Sequence, residues 1–312
     1  MTLFLKENQV NELLSFKDAY DALREAFVLE NNKKAVNTKR VRTSFSGSTL
    51  TYQAGAIEGF IGYKTYVRGN FVSLLFDQDG NLLLFCEADR MSLYRTGALS
   101  VLAADYMKGN YSSVGIIGLG KQGISQVEAF HNLRPGVTIL GYTRTPERER
   151  RAKETLSREG IHIRTVTNLR DLSSQSEVIV TITTSTSPFL KLEFLGSQTH
   201  VNALGSNLPE RKELFPEVIK ASSVIAVEDK DQAKDEAGEF HLADKMGMMD
   251  WNKVVKLSEI ISGNVRIGEG LTIFKSVGIG LEDVAVTRKL YSLAKAKRVG
   301  TDMEVVGKWY RE

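Results

Sequence analysis

Cysteine is almost missing from this chain of 312 residues: Cys86 stands alone, so no disulfide can form within it and small disulfide-stapled scaffolds are excluded. Histidine is sparse too. His131, His162, His200 and His241 lie far apart, and with neither an HExxH nor a CxxC pattern no metal site is expected. No stretch approaches the ~18 apolar residues of a membrane span. Lys6 and Glu7 break the start before a signal-peptide core could form, so a cytoplasmic protein with no membrane partner is expected. Charge of one sign is also lacking, since 41 Lys and Arg against 38 Asp and Glu leave a formal +3. That balance gives no reason to expect a nucleic-acid partner. Hydrophobic residues at 42% and charged residues at 25% are ordinary for a folded globular chain. At ~150 residues per domain the length suits two domains.

The five prolines all fall between Pro135 and Pro216, which suggests two halves of different construction. Residues 15–31 carry Phe16, Ala19, Tyr20, Leu23, Ala26 and Phe27 at helical spacing behind Ser15, a suitable N-cap. From 39 to 87 the rhythm turns to short β-rich runs, VRTSF, STLTYQAGA, FIGYKTYV, FVSLLF and NLLLFCEA, broken by turn residues. An antiparallel meander of five strands is expected, then a helix over 90–107 that Gly109 would end. From Ser113 apolar runs at 114–119, 137–142, 161–166, 178–183, 200–205 and 223–228 alternate with helical stretches. This α/β alternation predicts a parallel sheet covered on both faces. A last long helix is expected over 281–297.

The segment VGIIGLGKQGISQ ends one such run and opens a helix, with Gly118, Gly120 and Gly123 in GxGxxG spacing. The first glycine permits the tight turn, the second admits a pyrophosphate to the backbone, and the third lets helix and strand pack closely. Lys121 and Gln122 fill the loop between them, and the helix start offers unpaired N–H groups to phosphate. At the end of the following strand, where NAD sites carry an acid for the ribose, stand Thr143 and Arg144, with Arg148 nearby. A cation there suits a 2′-phosphate, so NADP(H) is the preferred cofactor; NAD(H) remains possible if Arg144 is only a solvated charge.

The segments LYRTGALS, GIIGLGKQG, ALGSNLPERKEL and FKSVGIGLEDVAV, in this order and across nearly the whole chain, resemble the ornithine cyclodeaminase/mu-crystallin family. The resemblance implies a Rossmann doubly wound sheet, residues 112–280, inserted into an α+β substrate and dimerisation domain of residues 1–111 plus 281–312. It also implies a homodimer built through the N-terminal strands. Arg42 in VRT and Arg95 in YRTGA match arginines that hold a substrate carboxylate, and Lys64 in GYKTY matches the lysine beside the substrate. The chemistry agrees, because an arginine fork pairs bidentately with a carboxylate and a lysine near other cations has a lowered pKa suited to proton transfer. Asp283 is expected to cap the last helix and to lie near the nicotinamide. Glu228 and Asp229 end a strand where ligands bind in such sheets, and MGMMDW (246–251) is expected in the core.

One departure from the family pattern is informative. Its cyclodeaminases carry an aspartate where GSNLPER has Asn207, and a lysine where Arg211 stands. Asparagine hydrogen-bonds but takes no proton at neutral pH. The expected activity is therefore that of an NAD(P)H-dependent imino-acid reductase or amino-acid dehydrogenase acting on a small amino or imino acid. The alternatives are ornithine cyclodeaminase and a non-catalytic binder resembling mu-crystallin. A binder fits less well, since burying several cations is costly without an anionic ligand.

Overall fold

The computed structural model describes residues 1–305 and divides into two compact units, Met1–Arg95 with the chain from Ile279 on, and Thr96–Gly278. The resemblance implies divisions after 111 and 280. Contacts place them inside a helix and at Gly278, and residues 306–312 of the expected first domain lie outside the described residues.

The first unit runs β1 (Thr2–Leu5), α1 (Glu7–Leu13), α2 (Phe16–Asn31), β2 (Ala35–Asn37), β3 (Val41–Phe45), β4 (Ser48–Ile57), β5 (Phe60–Val67), β6 (Asn70–Asp77), β7 (Leu82–Glu87) and the start of α3 (Asp89–Met107). Strands β3 to β7 are the five of the expected meander. Two-residue turns at Ser46-Gly47 and Arg68-Gly69 hold both residues at positive φ, which matches the twist of a hairpin. Ser15 caps α2 as expected, accepting the Asp18 amide at 3.1 Å. The sheet alternates in and out most regularly along β4. Thr51, Gln53, Ile57 and Lys64 are buried on one face, while Val41, Phe45, Leu50, Tyr52 and Ile61 are exposed on the other.

The second unit continues with β8 (Ser113–Ile117), α4 (Lys121–Leu133), β9 (Thr138–Tyr142), α5 (Pro146–Arg158), β10 (Arg164–Thr165), α6 (Leu169–Ser174), β11 (Val178–Thr181), β12 (His200–Ala203), α7 (Pro216–Ala221), β13 (Val224–Val227), α8 (Lys230–Glu236), α9 (Gly238–Lys245), β14 (Val254–Lys256), α10 (Leu257–Ile261) and β15 (Thr272–Lys275). All its strands are parallel, in the order β10-β9-β8-β11-β12-β15-β13-β14. The chain leaves β8 toward β9 and β10, then returns to its other side with β11. The carboxyl ends of β8 and β11 thus mark the switch point where Rossmann sheets open a crevice. The apolar run at 161–166 forms only the two-residue edge strand β10. MGMMDW packs as expected, with Met248, Met249 and Trp251 against the core.

The chain closes the first unit with α11 (Gly280–Lys297) and β16 (Thr301–Met303). Helix α11 lies against β4 with backbones in contact. A Cβ on Gly280 would stand 2.2 Å from the Ala54 oxygen, and one on Gly55 would stand 2.9 Å from the Leu281 backbone. Asn37 Oδ1 accepts the first amides of α11, Gly280 at 3.0 Å and Leu281 at 3.3 Å. Among the described residues no helix is long and apolar enough to cross a membrane.

Candidate active site

In the first unit the close packing of α11 on the meander sets acidic residues of the helix over basic residues of the strands. Gln53 and Lys64 face each other across β4 and β5, and both side chains meet Asp283. Lys64 Nζ donates to Asp283 Oδ1 at 2.7 Å, and Gln53 Nε2 donates to Oδ2. Arg95, from α3, donates through Nε to Asp283 at 3.2 Å and through Nη1 to Glu282 at 2.9 Å. Arg40 Nε completes the chain by donating to Gln53 Oε1 at 2.8 Å. Gln53, Lys64, Arg95, Glu282 and Asp283 are all buried.

The structure thus brings together three of the expected residues, Lys64, Arg95 and Asp283. It corrects the role of Asp283, which caps no helix: Asn37 and Glu282 take the amides at the start of α11, leaving Asp283 as the counter-ion of Lys64 and Arg95. Arg42 lies on the same sheet face, opposite Thr51, but Arg40 is the arginine bonded to Gln53. Sequence reasoning preferred Arg42 to its neighbour Arg40 and did not reach Gln53, whose place opposite Lys64 is set by the pairing of β4 with β5.

Burial pushes the Lys64 ammonium down to about 8, and Arg95 and Arg40 add repulsion against the opposing pull of Asp283. The Phe71 ring beneath it, 5.8 Å from Nζ, supplies an apolar wall. Burial alone would raise Asp283, yet the charges of Lys64 and Arg95 outweigh it and hold the carboxyl below its ordinary range. The cluster therefore presents a buried lysine able to give or take a proton near neutrality, fixed by a lasting carboxylate.

In the second unit the glycine loop follows β8. Gly118 has φ of 106°, and a Cβ there would meet the Ile182 oxygen at 2.6 Å; a Cβ on Gly123 would stand 1.8 Å from the Gly118 oxygen. Those two glycines serve the turn and the packing of α4. Gly120 differs. Its backbone is ordinary and a Cβ would touch nothing, so the protein's own packing gives no reason for a glycine, whereas a ligand lying on the start of α4 does. Beside it opens a cavity of about 660 Å³ lined by Gly118, Gly120, Thr143, Arg144, Arg148 and Thr183, among others, none of them acidic. Lys121 and Gln122 begin α4 without lining this cavity. Farther into α4, Gln122 Oε1 and both amide atoms of Gln126 are buried with no hydrogen-bond partner. A phosphate-bearing dinucleotide fits the residues lining the cavity.

Asn207 lies beyond β12, in a loop pinned from below. Lys275 Nζ donates to Ser206 O at 2.6 Å, and Ser206 Oγ to Arg211 O at 2.6 Å. Glu228 is fully buried, accepting Ser276 Oγ and the Gly278 amide at 3.2 Å, and burial raises its carboxyl above the ordinary range. Asp229 caps α8 through the Gln232 amide at 2.9 Å. Both acids are thus engaged within the unit.

Residues 61–298 match the ornithine cyclodeaminase/mu-crystallin family. The chain is 31% identical to the alanine dehydrogenase of Archaeoglobus fulgidus, over 97% of this chain and 98% of that protein. It is 33% identical to a Delta(1)-pyrroline-2-carboxylate reductase of Bacillus thuringiensis subsp. konkukian, over 78% and 76% respectively. Among solved structures, an archaeal alanine dehydrogenase dimer with bound NAD is similar, with a TM-score of 0.89 and 29% identity, covering 98% of this chain and 99% of that one.

Proposed function

The chain belongs to the ornithine cyclodeaminase/mu-crystallin family, and from that premise we propose that it is an NAD(P)H-dependent oxidoreductase acting on a small imino acid. Its preferred direction is reduction of a C=N bond beside a carboxylate, as in pyrroline-2-carboxylate, with amino-acid dehydrogenation as the reverse chemistry. The observation that carries the reading is the buried Lys64–Asp283 pair with Arg95 beside it. A reduced nicotinamide held at the glycine-lined cavity would supply the hydride for the imine carbon. Lys64 Nζ holds the proton that the nitrogen needs once the C=N π pair has moved onto it. Asp283 keeps Lys64 in place, and the arginines Arg40, Arg42 and Arg95 supply the positive field that holds the carboxylate.

Asn207 stands where a cyclodeaminase would need a proton acceptor, so the attacking side-chain ammonium of ornithine finds no base at this position. The experiment is NADPH and NADH oxidation with pyrroline-2-carboxylate, piperideine-2-carboxylate, and pyruvate plus ammonia, alongside ammonia release from L-ornithine. Imine-dependent oxidation with little ammonia release is expected. Ornithine turnover near the enzyme median of ~10 s⁻¹ would overturn the reading. Tight imino-acid binding without any turnover would make the protein a binder.

The cofactor is NADP(H) in preference to NAD(H), because Arg144 and Arg148 line the cavity and no lining residue is acidic. The protein is also proposed to be a homodimer. The exposed apolar face of β3, β4 and β5, opposite Lys64, is the surface that a second copy would cover.

A further inference from the structure

At the carboxyl ends of the second unit's central strands lies a charged cluster that the proposed reaction does not use. Glu213, Glu239 and Lys275 are completely buried. Lys275 Nζ, at the end of β15, donates to Ser206 O at 2.6 Å and Ala203 O at 3.2 Å, and lies 3.5 Å from Glu239 Oε2. Glu239 Oε1 in turn accepts the Glu213 amide at 3.0 Å. The Glu213 carboxylate reaches two separate loops. Oε1 accepts the Thr183 amide at 2.6 Å, beyond β11, and Oε2 accepts the Gly205 amide at 2.9 Å, beyond β12, as well as Thr181 Oγ1 at 2.7 Å. The join is tight: a Cβ on Gly205 would stand 2.4 Å from both Glu213 Oε1 and the Thr183 backbone.

Well-packed apolar residues would serve stability at least as well as such buried charges, so stability alone does not account for the cluster. Its bonds converge on the backbone that forms one wall of the glycine-lined cavity, Thr183 to Ser185, and on the loop that carries Asn207. We propose that Glu213, Lys275 and Glu239 are positioning residues that lock these two loops together before the dinucleotide arrives, so that the cavity wall is preformed. The inference rests on the reading of that cavity as the dinucleotide site.

The test begins with titration of the unaltered protein by NADPH and NADH, followed by tryptophan fluorescence. Failure to bind either overturns the dinucleotide reading itself. If binding is seen, Glu213→Gln is titrated next, since its amide NH₂ would face N–H donors it cannot accept. The dissociation constant is expected to rise at least tenfold while the melting temperature stays within a few degrees. The double variant Lys275→Met with Glu239→Gln, which removes the buried ion pair as a unit, should do the same. Thr181→Val, which removes only one bond to Glu213, should give a smaller rise and keeps the test open should the others fail to fold. Dissociation constants within twofold of the unaltered protein, or a fall in melting temperature with binding unchanged, would show the cluster to be structural only.

Discussion

Lys64 is buried, and that burial is the chief reason its ammonium pKa is brought down to about 8. Its unfolded value is ~10.4, so between about 8 and ~10.4 the unfolded chain binds more protons. Over that window this group favours folding more as pH rises, and the penalised state is the charged lysine below pH 8. Catalysis follows the opposite trend. If Lys64 donates the proton, imine reduction falls by about a decade per pH unit above pH 8, and amino-acid oxidation gains. Lys64→Met should lose ~10²- to 10⁴-fold in kcat and abolish that break in the pH profile. A profile unchanged in the variant rules out Lys64 as the donor. At the cofactor, Arg144→Ala should weaken NADPH by ~10- to 150-fold, the worth of a charge-assisted hydrogen bond, and leave NADH nearly unmoved. Equal affinity of the unaltered protein for both dinucleotides would refute the assignment. Lys64 and Arg95 were legible because they sit in segments with recognisable surroundings, FIGYKTYV and LYRTGALS. The role of Asp283 was not, because an acid in a helix's first turn reads as a cap whatever stands beyond it. Only the approach of α11 to β4 and β5 sets a lysine and a glutamine there instead.

At the level of elements, that approach depends on residues with no side chain. Gly280→Ala would drive a methyl group to 2.2 Å from the Ala54 oxygen, so helix or strand must shift. Overpacking of this kind costs ~1–3 kcal/mol, and the shift also moves Asp283 away from Lys64. Urea unfolding should show the loss, and kcat should fall with it; unchanged stability would mean that helix and strand separate more easily than the contact suggests. The meander and the strands β8, β9, β11, β12 and β13 could be read from periodicity and turn residues. Strand β15 escaped although it is central, pairing with β12 and β13, because its four residues follow a glycine-rich stretch and continue straight into the glycines before α11. Strands β1, β2 and β16 escaped for a related reason. Three or four residues carry too little alternation, and their pairing is decided by distant partners.

For the whole molecule, the proposed assembly rests on the open face of the first unit's sheet. Cross-strand register sets Val41, Phe45, Leu50, Tyr52 and Ile61 on the side away from α11, with Phe45 81% exposed and Ile61 55% exposed. An antiparallel sheet facing water normally turns polar side chains outward; this one turns apolar chains outward from three successive strands. Covering them with a second copy of the same face is the closed arrangement that a two-fold axis allows, and it must bury about 1,000 Å² or more to be stable. Light scattering at micromolar concentration should therefore return twice the chain mass. The double variant Tyr52→Asp with Ile61→Lys should return a single chain mass, because charges would be buried without partners in the shared face. Neither residue touches the buried side that holds Gln53 and Lys64, so the variant should keep its circular dichroism spectrum and its affinity for dinucleotide. A monomer mass for the unaltered protein would show that this face stays open to solvent, or that it meets a different partner.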